Sequence, residues 1–214
     1  MPMLPMHHTP LVAAALRIAR RWYIGHGNPL TGTTVLAHAV AVANTIGDHA
    51  PGVAPEWIVA ALLHCVSEVA PSTDVTDLDD LLTGCSPGES EYLMTMLNAT
   101  APMTPLIAAA EKAVTLTSVL DQAAAVGREA EYWAEHPELP ALIDECRRFH
   151  SRAAGMVPAT LAELLGALVA RAGGACTADT VAPAARVSRK YLEHSGFDVA
   201  VGGVAPARRA RGGD

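Results

Sequence analysis

The chain has 214 residues, half of them hydrophobic, 17% charged and 4% aromatic, with a formal net charge of −7. That length suits one domain with a sizeable core, and the acidic balance excludes a broadly basic surface and with it general nucleic-acid binding. The 4 cysteines include no C-x-x-C pair, which excludes a zinc ribbon and a small disulfide scaffold.

No run of about 18 uninterrupted apolar residues occurs. In "MPMLPMHHTPLVAAALRIARR" the basic residues follow the apolar run, the reverse of a signal peptide. The expected setting is the cytoplasm, with reduced thiols and no membrane contact.

In chain order, "TPLVAAALRIARRWYIGHG" reads as a first helix. Thr9 caps it, Pro10 occupies its first turn, and Leu11, Ala14, Ala15 and Ile18 recur at helical spacing. "GNPLTG" is a turn. "TTVLAHAVAVANTIGDHA" is a second helix, nearly all apolar, with His38 inside it. After the "PGVAP" break, "EWIVAALLHCVSEVA" reads as one continuous third helix.

"STDVTDLDDLLTG" reads as a short capped helix with Leu78, Leu81 and Leu82 inward, and "PGESEYLMTMLNATAP" as another short one. A long helical pattern runs from Pro105 to about Glu135. "HPELPALIDECRRFHSRAAG" and "VPATLAELLGALVARAGG" follow as two more helices, and "TADTVAPAARVSRKYLEHSG" as a last one weakened by Pro183. No strand alternation or internal repeat is visible. The expected class is all-α, an irregular multi-helix bundle in a single domain over residues 1–198, with a flexible, solvated tail over 199–214 that carries "ARRARGG".

The residues capable of chemistry are few. A single histidine on an apolar helix is usually a satisfied core residue. Two of them, His38 and His64, in separate apolar helices shift the balance towards a shared site. His64 and Glu68 stand four apart and share a helix face, so imidazole and carboxylate are able to serve one metal, as ligand and as base. Asp121 is a third candidate, because an acid in an Ala/Val/Leu helix costs free energy unless it is paired or ligated. The remaining histidines read as surface or helix-end residues, and Cys85, Cys146 and Cys176 as small fillers or surface thiols.

"TGTTVLAHAVAVANTIG", "APEWIVAALLHCVSEVA" and "TDLDDLLTG", in that order, resemble the HD-domain superfamily. The branch they resemble is the hydrolase domain of RelA/SpoT-type enzymes, which remove pyrophosphate from guanosine polyphosphates. The resemblance covers about residues 10–135, and the helices expected over 137–198 lie beyond it. It implies an HD-type helical bundle whose metal ligands fall on His38, His64 and, in the distal position, Asp121, with Glu68 in the first place of the acidic pair that activates water. Gly32 stands six positions before His38, as in the family.

The chain also departs from the pattern. The His-Asp doublet is His64-Cys65, the acidic pair is Glu68-Val69, and "GHGNPLTG" lacks the basic residues that meet the guanine nucleotide. Three readings stay open. A binding or regulatory module, with a nucleotide, small molecule or protein as partner, would keep the histidines as hydrogen-bonded relics and hold no metal. A metal-dependent phosphohydrolase would hold one Mn, Fe or Zn ion with His38, His64 and Asp121, take Cys65 as a fourth ligand and use Glu68 for the proton. A non-hydrolytic metalloenzyme would use the same ligand set for iron.

Overall fold

The structure is a computed structural model, and it describes residues 9–28, 30–69, 80–98, 104–127 and 129–177. Among them it is all-α. The elements are α1 (Pro10–Tyr23), α2 (Val35–His49), α3 (Pro55–Leu63), α4 (Val66–Val69), α5 (Pro87–Asn98), α6 (Pro105–Val126), α7 (Glu129–Glu135), α8 (Leu139–Ala153) and α9 (Ala159–Thr177). The expected helices over 71–79 and beyond Thr177, and the basic tail, lie outside the described residues.

The helix starts follow from local chemistry. Thr9, Thr34 and Thr104 are extended, and each hydroxyl accepts from the amide three residues on, at 3.3, 3.1 and 3.4 Å. This satisfies one of the amides that every helix start leaves unpaired. Proline fills the first position of α1, α3 and α6, where its missing N–H costs nothing. Ser86 and Glu89 form a reciprocal capping box at the start of α5, at 3.3 and 2.8 Å.

Three sequence expectations change. The long pattern after Pro105 divides into α6 and α7 at Gly127, whose φ of +66° closes α6 with a left-handed residue. The chain over 80–84 forms turns rather than the end of a helix. They are held from outside: Arg17 of α1 donates to the carbonyls of Leu81, at 3.0 and 2.7 Å, and Thr83, at 2.8 Å.

The third change is the division of "EWIVAALLHCVSEVA" into α3 and α4 at His64 and Cys65. In a continued helix the carbonyls of Ala61 and Leu62 would accept from the amides of Cys65 and Val66. Here side chains meet both of them. The His64 imidazole Nδ1 lies 2.6 Å from Ala61 O, and the Tyr23 hydroxyl donates to Leu62 O at 3.0 Å. The break is therefore made partly by the histidine itself and partly by α1.

Helix α3 packs against both α1 and α2; α2 in turn packs on α6, α6 on α9, and α9 on α8. Small residues line these contacts: Ala14, Ala15 and Ala19 on α1, Ala39 and Ala43 on α2, and Ala108, Ala109, Ala110 and Ala113 on α6 are all buried. They allow close helix approach, while Ile18, Ile46, Ile58 and Leu62, all fully buried, supply about 1.5–3 kcal/mol each. The residues expected inward on α1, namely Leu11, Ala14, Ala15 and Ile18, are all in this core.

By length and apolar composition alone, Ala159–Cys176 of α9 meets the requirement for a membrane span. Here its Leu161, Leu165 and Ala172 are fully buried, and the helix packs on α6 and α8.

Candidate metal site

Helix α2 points His38 inward. The residue follows Val35 by one turn and adjoins Ala39, so it lies on the buried stripe and is only 4% exposed. His64 closes α3 in right-handed helical conformation and is half-buried, and Cys65 beside it is buried. The packing of α2 on α3 brings the two imidazoles together, with ring centroids 5.6 Å apart and planes tilted by 52°. One donor atom from each of His38, His64 and Cys65 lies within 4.8 Å of the other two.

The hydrogen bonds set the His64 tautomer. A carbonyl only accepts, so the nitrogen facing Ala61 O carries the proton. Nε2 then presents its lone pair, and Cys65 Sγ lies 3.1 Å from it. An imidazole whose outer nitrogen is pinned by a backbone carbonyl while its inner nitrogen faces a cluster has the arrangement of a metal-ligating histidine. The fit extends to His38, whose Nδ1 is buried without a hydrogen-bond partner among the described residues. A buried, unfilled nitrogen costs free energy. A metal ion would satisfy it.

Burial pushes the His38 pKa from 6.5 down to about 4; the neighbouring His64 lowers it further and the carboxylate of Glu111 opposes the shift. The imidazole is therefore neutral near pH 7, the form that ligates.

The other residues expected at the site divide. Asp121 is exposed and is not among the donors brought together. Leu116, Val119, Leu120 and Ala123 take the buried stripe of α6, which leaves Asp121 on the solvent side. The premise that an acid among apolar residues must be buried therefore does not hold for this position. Glu68 belongs to α4, and its side chain lies outside the described residues.

Three contributors were not anticipated. Tyr23 shapes the α3–α4 break. Glu111, half-buried on α6, is the carboxylate that acts on His38. Thr115, one turn further on and buried, donates to Glu111 Oε1 at 3.2 Å and so holds that carboxylate. The signal for Glu111 was its place in "IAAAEKAV", an acid within a run of alanines that are buried.

Gly32 also has a specific place. It has a φ of +62°, in a turn where the Asn28 side chain accepts from the amides of Leu30 and Thr31 at 3.0 and 3.2 Å. A Cβ there would lie 2.9 Å from Nε2 of Gln122 on α6. The backbone conformation favours glycine, while the Gln122 amide, at the end of a flexible side chain, could move aside.

No protein-family model matches the chain, and neither a curated relative nor a solved structure does.

Proposed function

We propose that this chain is a cytoplasmic HD-type helical domain that holds one divalent metal with His38 and His64 and acts as a binding or regulatory module. In this reading it has left standard guanosine polyphosphate hydrolysis. The single observation that carries the metal is the convergence of two imidazoles and a thiol in a largely buried cluster, with His38 Nδ1 lacking a partner among the described residues. Relic histidines retained as core residues would be hydrogen-bonded on both nitrogens, and His38 Nδ1 has no such partner among the described residues.

The departure from hydrolysis rests on the same site. Cys65 and Val69 stand where the family has acids, and the turn before α2 has no lysine or arginine to neutralise a polyphosphate. A bound metal would supply Lewis acidity and would acidify a water. The protein's own contribution is to orient His64 through Ala61 O and to keep His38 neutral by burial.

A second reading, an altered mononuclear phosphohydrolase, draws support from Glu111. The carboxylate is held by Thr115 and bears electrostatically on His38; in this reading it would take a proton from water.

The test is elemental analysis of the full chain after expression with Mn, Fe or Zn. The expected result is about one metal per chain, lost in His38→Ala and retained in Asp121→Asn. Absence of metal under all three supplements sinks the proposal. Metal-dependent turnover of a phosphate ester that is lost in Glu111→Gln would favour the second reading over the first.

A further inference from the structure

Two imidazoles do not by themselves select an ion, and the third donor decides the selection. We infer that Cys65 enters the site as a thiolate ligand and makes it selective for thiophilic ions such as zinc, cobalt(II) or cadmium over manganese and magnesium. The inference rests on the reading that His38 and His64 hold a metal.

Geometry is the first support. Sγ of Cys65 lies 3.1 Å from the Nε2 that the Ala61 carbonyl leaves as an acceptor. Tetrahedral zinc, with bonds of roughly 2.0–2.3 Å, sets its nitrogen and sulfur ligands about 3.5 Å apart. The pair therefore needs to open by only a few tenths of an ångström.

The second support is independent and comes from another helix. A nitrogen of His38 lies within 4.8 Å of both atoms, and its buried Nδ1 lacks a partner among the described residues.

Chemistry then fixes the class. Among the described residues no carboxylate belongs to the converging group, so the donors are two nitrogens and one sulfur. Imidazole suits zinc, iron, copper and nickel; thiolate favours zinc and softer ions; magnesium and manganese prefer oxygen. While the thiol is protonated, the 3.1 Å contact is a weak S–H···N hydrogen bond; loss of that proton makes the same sulfur a thiolate donor beside the imidazole.

The experiment is cobalt(II) titration of the metal-free full-length chain under reducing conditions, followed by displacement with zinc, manganese and magnesium. The wild type is expected to show a sulfur-to-cobalt charge-transfer band, displaced by zinc and not by manganese or magnesium. Cys65→Ser should lose the band and weaken zinc binding by at least roughly 10-fold, while Cys146→Ser keeps the band. Cys65→Asp retains a ligand in which oxygen replaces sulfur, and is expected to gain affinity for manganese relative to zinc.

Cobalt binding of equal strength in wild type and Cys65→Ser, without the band in either, overturns the inference and leaves the histidine site standing. Failure of the wild type to bind cobalt or zinc overturns both.

Discussion

Two of the polar clusters in the core are completed differently. Between α6 and α8, Lys112 Nζ donates to Glu145 Oε1 at 2.7 Å and lies 5.5 Å from the centre of the Phe149 ring. Burial alone would lower the lysine pKa, but Glu111, Cys146 and Glu145 outweigh it and raise the value above the ordinary one. Nearby, burial pushes the Cys146 thiol up to about 12, with Lys112 opposing, so that thiol is inert. Between α2 and α3, His38 is buried as deeply, yet its Nδ1 has no partner among the described residues. A buried group whose bonding is complete fastens helices together. A buried group whose bonding is incomplete carries a desolvation cost that a bound ligand could relieve.

The largest expected effect breaks the first cluster. Lys112→Ala should destabilise the fold by about 3 kcal/mol, because it strands the Glu145 carboxylate, whose side chain is 19% exposed. Denaturant unfolding measures this, and Lys112→Met with Glu145→Leu should recover most of the loss. A Lys112→Ala protein as stable as wild type would remove the contrast.

The next effect is comparable in size and concerns the second cluster, in metal-free protein. The His38 pKa is about 4 in the fold against 6.5 in the unfolded chain, so the unfolded state binds its proton first as pH falls. Stability from this group is full above pH 6.5 and is lost as pH drops towards about 4, by about 3 kcal/mol in all. His38→Leu should flatten that part of the pH–stability profile. An unchanged slope would show that other groups set it.

The smallest effect sharpens the comparison by loosening the support around the site. Tyr23→Phe removes the hydroxyl on Leu62 O and should cost about 1 kcal/mol in the same unfolding assay, with metal binding retained. A loss of metal binding as well would show that the α3–α4 break depends on Tyr23 as much as on His64.

Much of the fold was legible because its signals are local. Thr9 followed by Pro10 predicts the start of α1, and the spacing of Leu11, Ala14, Ala15 and Ile18 predicts its buried face. The capping box of Ser86 and Glu89 was equally local and is a signal the sequence carries plainly. The α3–α4 break was not legible. Part of it comes from Tyr23, which stands 39 positions before Leu62, and no window around residue 64 contains that partner.

The site was half legible for a related reason. His38 and His64 stand out because imidazoles are rare in apolar helices. Asp121 and Glu111 could not be ranked, because alanine covers most of α6 and alanine is at home on either face. Where a helix buries Ala109 and Ala110 but exposes Ala124 and Ala125, hydrophobic periodicity does not tell which acid faces inward.

The bond from His64 Nδ1 to Ala61 O also restricts what position 64 tolerates. That side chain must donate a proton outward, to end a helix, and offer a lone pair inward, to the cluster. Aspartate or cysteine could still ligate there but would leave the Ala61 carbonyl unanswered. Asparagine could answer the carbonyl but is a poor ligand. Only imidazole, with two nitrogens on opposite edges of a rigid ring, performs both tasks. Variation at this position is thus limited by the backbone of α3 as well as by the proposed ligation.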